Sequence, residues 1–296
     1  MGKKRFTGTG VALVTPFHKQ GAIDFTSLEK LIEHTINGGV DYLVVQGTTA
    51  ETATLTKEEK TAVAEFTIDI VNKRVPLMLG VGGNNTQDIV TQLRTCSYDG
   101  FDAILSVTPY YNKPQQRGLY LHYKNLSAVS PLPLIMYNVP GRTGVNMKAE
   151  TVLQIAEECD NIIGIKEASG NLEQIMEIIK NRPHGFLVIS GDDLLTFPQI
   201  ALGADGVISV AANGYPKEFS QMVTAALKGD FEKARSLHYK LTDFIKIIFA
   251  DGSPAGIKAA LELKGIISNN LRLPLVKVEK NIFNQIQQSI QAIDEN

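Results

Sequence analysis

The sequence predicts an α/β protein, a (β/α)8 TIM barrel with a C-terminal helical extension. Short runs rich in Val, Ile and Leu alternate with amphipathic stretches up to about residue 228, the pattern of repeated strand-helix units in a parallel sheet. The runs are almost continuously apolar, as expected of strands that are buried on both faces. Because eight runs fit into about 230 residues, a closed barrel is favoured over an open eight-stranded sheet, although spacing alone does not exclude the latter.

The strand candidates follow one another in chain order. They are GVALVTPF (10–17), YLVVQG (42–47), PLMLGVG (76–82), AILSVTP (103–109), PLIMYNVP (133–140), IIGIKEA (162–168), FLVISGDD (186–193) and GVISVAA (206–212). In the first predicted helix, Leu28, Leu31 and Ile32 share one face, and Thr56 with Glu59 has the spacing of a capping box before the second.

Beyond the eighth strand only helical patterns remain. They cover 230–249, 254–267 and 276–293 and contain no catalytic motif. We therefore predict a catalytic barrel over 1–229 and a helical region over 230–296 that packs on the barrel or contributes to oligomer contacts.

The overall composition excludes several classes of partner. The chain has 29 basic and 31 acidic residues among 296 and a net charge of −2, which argues against nucleic acid or an anionic membrane surface as the main partner. No apolar run is long enough to span a bilayer. The two cysteines, Cys96 and Cys159, stand alone in helical patterns and are expected to be reduced. These features predict a cytoplasmic protein.

The residues that end the predicted strands carry unusual chemistry. In a (β/α)8 barrel the active site lies at the C-terminal ends of the strands. Strand two is followed by GTTAE, strand four by TPYYNKP and strand five by YNVPGRTG, and strand six ends in the lysine of NIIGIKEASG. Hydroxyls, phenols, a guanidinium and an amine are therefore predicted to meet at one mouth of the barrel.

Lys166 is the most informative of these residues. Strand alternation puts Ile162, Gly164 and Lys166 on one face, which we expect to be the barrel interior. Burial disfavours the ammonium form and so lowers the pKa of a lysine, and the neutral amine attacks carbonyl groups to form a Schiff base. On this basis Lys166 is expected to be largely a neutral amine. The alternative is a structural lysine paired with a carboxylate across the mouth.

The loop threonines and the arginine suggest binding of carboxylates. Backbone amides and hydroxyls around Thr48 and Thr49 are suited to holding a carboxylate, although threonines in such loops also serve as local helix caps. Arg142 follows a turn-forming stretch. It is either a bidentate clamp for a carboxylate or a solvated side chain.

Three tyrosines occupy the same set of strand ends. Tyr137 shares a face with Ile135, hence with the interior, where a phenol needs a hydrogen-bond partner whether it is catalytic or structural. Tyr110 and Tyr111 are adjacent, so in an extended backbone they point in different directions, and at least one is free to point out of its own barrel.

The motifs GTTAE, TPYYNKP, YNVPGRTG and GIKEASG, in this order, resemble the dihydrodipicolinate synthase family. This family belongs to the pyruvate-dependent class I aldolases, which include N-acetylneuraminate lyase. The resemblance implies a lyase of diaminopimelate and lysine biosynthesis in which pyruvate forms a Schiff base on Lys166 and its enamine attacks L-aspartate 4-semialdehyde. It also implies a homotetramer built from tight dimers, and no metal or organic cofactor.

The resemblance further implies roles for individual residues. Thr48, Tyr137 and Tyr111 would form a proton relay, with Tyr111 reaching into the site of a neighbouring subunit. The substrate-binding positions would be Thr49 for the pyruvate carboxylate, Arg142 for the semialdehyde carboxylate, and Gly191 and Ile208, which line the pocket through their backbone.

Two departures from the family pattern are visible. Ala50 stands where the family often has glycine, and a positive φ at this position would be strained by the Cβ. The second departure concerns the site at which some members bind L-lysine as an inhibitor. Its matching positions are Thr52, Ala53, Lys57, Lys60, Asn84, Asp88 and Tyr110. Two lysines there would repel a cationic ligand unless Asp88 compensates, so we predict weak or absent inhibition by L-lysine.

Two other functions remain open at this point. The first is another Schiff-base pyruvate aldolase, acting on a sugar acid or a hydroxyproline-derived substrate. The second is a barrel that binds keto acids without turnover.

Overall fold

A computed structural model shows a closed barrel of eight parallel strands arranged in chain order. The structure describes residues 3–295. The strands are β1 Gly8–Ala12, β2 Tyr42–Val45, β3 Leu77–Gly80, β4 Ala103–Val107, β5 Leu134–Asn138, β6 Ile162–Glu167, β7 Leu187–Ser190 and β8 Gly206–Ser209. The predicted (β/α)8 barrel is therefore confirmed.

Helices cover the outside of the barrel and the C-terminal part of the chain. They are α1 Phe25–Asn37, α2 Lys57–Val71, α3 Thr86–Thr95, α4 Gln116–Ser127, α5 Pro140–Thr143, α6 Ala149–Glu158, α7 Leu172–Asn181, α8 Thr196–Ala201, α9 Pro216–Leu227, α10 Phe231–Phe249, α11 Ala255–Leu263 and α12 Lys280–Asp294. The predicted capping box is present at the start of α2, where the Thr56 hydroxyl accepts the Glu59 N–H and Glu59 accepts the Thr56 N–H.

The first strand departs most from its predicted bounds. It was expected over 10–17, but β1 ends at Ala12. Beyond it the chain turns back on itself, since Phe17 forms an isolated antiparallel bridge with Ile23. Pro16 lacks the N–H that a continuing strand would donate to its neighbour.

Two apolar layers stabilise the barrel. The outer and larger layer lies between the strands and the surrounding helices, and the inner layer fills the barrel itself. Tyr42 fills the space next to Gly10, where an added Cβ would lie 2.1 Å from the Tyr42 ring, and Phe6 packs edge-on against the same ring at 5.3 Å between centroids. The barrel is thus a packed core whose polar groups are concentrated at its mouth.

A β-bulge changes the side-chain alternation in β6. Leu134 pairs with Ile162, but the next residue of β5, Ile135, pairs with Gly164, so Ile163 is the extra residue. As a result Ile162 belongs to the outer layer and Ile163 to the inner one. The predicted common face of Ile162, Gly164 and Lys166 is therefore wrong for Ile162.

The C-terminal helices pack on one side of the barrel. Helix α10 contacts α9, and α12 contacts both α10 and α11. The division of the chain at residue 229 stays a prediction. None of the helices within residues 3–295 combines the length and the apolar character that a membrane crossing requires.

Candidate active site

Lys166 lies at the mouth of the barrel beside Tyr137. The two residues are paired in the register between β5 and β6, and both are buried. The Lys166 Nζ atom is 4.3 Å from the centre of the Tyr137 ring. Within residues 3–295, no carboxylate lies within ion-pair distance of Lys166 Nζ, which argues against the structural alternative of a paired lysine.

Burial lowers the pKa of Lys166 to about 8; the Asp193 carboxylate opposes this shift and the Arg142 guanidinium adds to it. At pH 7 a pKa of 8 leaves about one tenth of the amine neutral, against about 0.03% for an ordinary lysine. The expectation of a largely neutral amine is therefore too strong, but the neutral, nucleophilic form is far more abundant than in an exposed lysine.

Gly191 gives the Lys166 side chain its space. A Cβ on Gly191 would lie 3.0 Å from Lys166 Cε and 2.6 Å from Ala168 Cβ. The Gly191 N–H donates to the Glu167 carbonyl at 2.8 Å, which holds the β7 loop against the end of β6. Gly191 thus lies against the Lys166 side chain, and its missing side chain leaves the space that the lysine stem occupies.

The loop after β2 brings Thr48 to Tyr137. Thr48–Ala50 forms a single 3-10 turn, and Thr49 in it is buried. Burial raises the pKa of Tyr137, while Arg142 and a hydrogen bond from Thr48 oppose the rise. Since Thr56 caps α2, the alternative of a local cap for Thr48 and Thr49 is wrong.

Ala50 does not adopt the strained backbone that was considered for it. It lies in the 3-10 turn, and the positive φ angles of this loop belong to Gln46, with φ 58°, and Glu51, with φ 54°. The Ala50 carbonyl accepts a hydrogen bond from the Thr15 hydroxyl at 2.8 Å. An alanine therefore fits this position without a conformational penalty.

Arg142 lies near the mouth on the one-turn helix α5. Its side chain is exposed and donates to the Ser253 carbonyl at 3.3 Å. Its charge acts on the pKa of both Lys166 and Tyr137. The structure thus places Arg142 close enough to Lys166 and Tyr137 for its charge to act on both.

Asp193 is a site residue that the sequence reasoning missed. Its Oδ2 accepts the N–H groups of Val210 at 3.1 Å and Ala211 at 2.8 Å, just beyond Ile208, which faces the inner layer. Its Oδ1 is buried without a hydrogen-bond partner among the described residues, and burial raises the pKa of Asp193 to about 6. The acidic pair that ends FLVISGDD was the available signal.

Glu167 was also missed, although it follows Lys166 directly. It is buried on the outward face of β6, where its carboxylate accepts the Asn138 amide at 3.0 Å and the Gln174 amide at 3.2 Å. The Ser169 N–H donates to it at 2.7 Å. These bonds fix the end of β6 against β5.

The structure does not bring Tyr111 into the cluster around Lys166. Tyr111 is 88% exposed with φ 71°, and Tyr110 is 42% exposed. Tyr111 lines an open cleft of about 1030 Å³ together with Asn84 and Asn112, and neither Lys166 nor Tyr137 contributes to that cleft.

Among the positions matching the L-lysine site, Asn84 lines the open cleft that also contains Tyr111. Lys57 and Asp88 are exposed, and the Asn84 carbonyl accepts the Asn112 amide at 2.8 Å. Thr52 instead donates its hydroxyl to the Gly47 carbonyl at 2.8 Å, and Ala53 is exposed. Over the described part of the chain, Asp88 forms no ion pair with either lysine.

Within residues 3–295, no group of three His, Cys, Asp or Glu side chains is arranged to hold a metal ion. Polar strand ends that meet around a buried lysine at the C-terminal mouth define an enzyme of the (β/α)8-barrel class.

Comparisons with known proteins extend this assignment. The model of the Dihydrodipicolinate synthetase family matches residues 5–293. A 4-hydroxy-tetrahydrodipicolinate synthase of Parabacteroides distasonis is 52% identical over 286 residues, which are 97% of this chain and 96% of that protein. This chain belongs to the dihydrodipicolinate synthetase family, and the predicted resemblance and lyase class are confirmed.

Solved structures agree over nearly the whole chain. Dihydrodipicolinate synthase from Aquifex aeolicus has a TM-score of 0.94 and 41% identity, covering 98% of each chain. The chloride-inhibited enzyme from Acinetobacter baumannii complexed with pyruvate has a TM-score of 0.94 and 40% identity, covering 97% of this chain and 99% of that one.

Proposed function

We propose that this chain condenses pyruvate with L-aspartate 4-semialdehyde, through a Schiff base on Lys166, to give 4-hydroxy-tetrahydrodipicolinate in lysine biosynthesis. The observation that carries the proposal is the buried Lys166 beside Tyr137, which has no ion-pair partner within residues 3–295. Burial lowers the pKa of Lys166 to about 8. The similarity to synthases of this name and to a structure complexed with pyruvate supports the choice of substrates.

The first step uses the neutral amine of Lys166. The Nζ lone pair attacks C2 of pyruvate, the ketone oxygen takes up protons, and water leaves as the iminium forms. Tyr137, hydrogen-bonded to Thr48, lies next to Nζ and is placed to deliver and recover those protons. Thr49 and its neighbouring backbone amides would hold the pyruvate carboxylate, with Gly191 and Ile208 lining the pocket.

Carbon–carbon bond formation follows from the iminium. Loss of a C3 proton gives the enamine, whose C3 attacks the aldehyde carbon of the semialdehyde, and the resulting alkoxide takes a proton from the relay. Arg142 would hold the carboxylate of the semialdehyde. The amino group of the condensed product then attacks C2, displaces the Lys166 amine and closes the ring.

Trapping with borohydride tests the Schiff base. Incubation of the full chain with pyruvate and borohydride is expected to add one carboxyethyl group to the intact protein, a mass gain equal to pyruvate minus water plus two hydrogens. Lys166→Ala is expected to abolish the adduct, and Lys180→Ala, at an exposed lysine of α7, to retain it. Absence of an adduct, or an adduct that survives in Lys166→Ala, would reject the mechanism and favour a barrel that only binds keto acids.

Turnover assays separate the aldolase functions. We expect efficient condensation of pyruvate with the semialdehyde. Cleavage of sugar acids or hydroxyproline-derived keto acids, assayed in the reverse direction, is expected to have a far lower kcat/KM. The opposite ranking would assign the chain to another branch of the pyruvate aldolases.

The relay is proposed to be completed by Tyr111 of a second subunit in a homotetramer of tight dimers. Its 88% exposure on an open cleft supports a role outside its own barrel. Co-expression of Lys166→Ala with Tyr111→Phe is expected to restore activity that each variant lacks alone, because a mixed dimer contains one site with both residues intact. A mixture no more active than its components would contradict the shared site.

The remaining parts of the proposal concern cofactor and compartment. Lys166 supplies the electrophilic iminium by itself, so no metal or organic cofactor is required by the steps above. Dialysis against a chelator is therefore expected to leave the rate unchanged, and a loss of rate that added metal restores would contradict the absence of a cofactor.

We also propose that the protein lies in the cytoplasm.

A further inference from the structure

We propose that Glu51 and Lys258 are positioning residues that hold the Thr48–Thr49 turn in the geometry required by the proton relay. Helix α11 then contributes to the site, in addition to packing on the barrel. The inference deepens the proposed function and rests on that function for its kinetic readout.

The backbone of Glu51 is tied directly to the turn. Glu51 follows Thr48–Ala50 and adopts the left-handed conformation, which disfavours residues with a Cβ unless the surroundings hold them there. Its N–H donates to the Thr48 carbonyl at 3.2 Å, and its own carbonyl accepts the N–H and the hydroxyl of Thr54, both at 2.9 Å. A rotation of Glu51 would therefore move Thr48.

The side chain of Glu51 is held by the C-terminal region at both oxygens. Lys258 Nζ donates to Oε1, and the backbone N–H of Arg272 donates to Oε2 at 3.0 Å. Lys258 also donates to the Asn270 carbonyl at 2.9 Å and lies 4.3 Å from the centre of the Phe17 ring. The side chains of Glu51 and Lys258 are both fully buried.

Arg272 secures the far end of the same loop. Its guanidinium donates to the Thr54 carbonyl at 2.8 Å, to the Glu59 carboxylate at 2.7 Å and to the Gly21 carbonyl. The loop between β2 and α2 is thus clamped at Glu51 and at Thr54 by residues more than 200 positions later in the chain.

A buried ion pair is a poor means of adding stability, because desolvation of both charges offsets their attraction. It is effective at specifying one geometry, since any displacement leaves a buried charge without its partner. A loop whose hydroxyls must stay within hydrogen-bond reach of Tyr137 has a use for such a constraint.

The test compares Glu51→Gln, Lys258→Met and the double variant with the wild type. Amide hydrogen exchange, which needs no turnover, is followed in the peptide covering 46–56, and kcat and KM for pyruvate are measured separately. Lys124→Met is the matched control, because it removes an exposed ion pair of α4 with Glu158.

We expect faster exchange in the 46–56 peptide of both single variants. We also expect kcat to fall about tenfold or more with KM for pyruvate changed less than about threefold, as for a loss felt mainly in the transition state. The double variant, which leaves no unpaired charge, is expected to regain thermal stability while its exchange stays fast and its kcat stays low.

Unchanged exchange in all variants would overturn the inference, as would a double variant whose exchange and kcat recover together with its stability. The proposed function fails separately: if the wild type forms no borohydride-trapped adduct, the function is rejected, and the exchange data alone then decide whether the pair holds the loop.

Discussion

Two buried lysines of this barrel show how the same residue type serves opposite purposes. Lys166 and Lys258 are 5% and 0% exposed, and burial lowers the pKa of each to about 8. Lys258 donates to a carboxylate and a carbonyl, whereas Lys166 Nζ has the face of Tyr137 beside it and no ion-pair partner within residues 3–295. Partner geometry, and not burial, separates the amine that we propose to be reactive from the structural one.

The largest expected effect is the loss of stability on replacing the paired lysine, Lys258. Lys258→Met leaves the Glu51 carboxylate buried with only the Arg272 N–H beside it, so the free energy of unfolding is expected to fall by about 3–5 kcal/mol. Denaturant unfolding at pH 7 measures this change, and Lys124→Met is expected to leave the midpoint where it is. A Lys258→Met variant as stable as the wild type would remove the contrast between the two lysines.

Replacement of Lys166 is expected to raise the free energy of unfolding, the opposite of the effect at Lys258. Below pH 8 Lys166 is protonated in both folded and unfolded states, and the folded state bears the full cost of the buried charge. Between pH 8 and 10.5 only the unfolded state retains the proton, so stability rises with pH. Lys166→Met is therefore expected to add up to about 3 kcal/mol at pH 7, a gain that disappears near pH 10.5.

Unfolding of wild type and Lys166→Met across pH 6–10.5 measures that difference, with Lys258 present in both proteins so that its contribution cancels. A gain that is independent of pH would show that packing, and not the buried charge, is responsible.

The rate of trapping is expected to follow the neutral amine. Below pH 8 the rate of adduct formation with pyruvate should rise about tenfold per pH unit, and it should level off above pH 8. Stopped reactions with borohydride under saturating pyruvate give this profile. A midpoint near 10.5 would indicate that Lys166 titrates like an exposed lysine.

The smallest expected effect is on inhibition by L-lysine, and it concerns two lysines outside the core. Lys57 is exposed and Lys60 partly buried, and neither has an acidic partner in Asp88. Their charges should disfavour a cationic ligand, so L-lysine is expected to inhibit weakly or not at all. Half-inhibition at low micromolar L-lysine in the purified enzyme would be incompatible with this prediction, and the Lys57→His, Lys60→His double variant is expected to be more sensitive.

Much of the site could be predicted because local sequence determines it. Strands buried on both faces require continuous apolar runs, so the eight runs and the polar residues that end them were visible without a structure. Lys166 was conspicuous for the same reason. Lys258 is also a lysine within an apolar segment, the helix AGIKAALEL. The search of strand ends does not find it because this helix lies outside the strand pattern.

Other features depend on contacts between residues far apart in the chain. The bulge at Ile163 arises from the register between β5 and β6, and it alone decides that Ile162 faces outward. Asp193 belongs to the site because the end of β8 presents two N–H groups to it. The bulge has no local pattern that predicts it, and the acidic pair that ends FLVISGDD does not by itself reveal the two N–H groups that hold Asp193.

By itself the sequence determined the barrel, the mouth where polar strand ends meet, and the lysine that we propose performs the chemistry, since each follows from apolar periodicity and from residue types at strand ends. Only the tertiary structure decided which buried lysine is paired, which residues of the β2 loop take the left-handed conformation, and how α11 reaches that loop. The physical reason is that desolvation depends on local apolar content, whereas hydrogen-bond partners are chosen by packing across the whole chain.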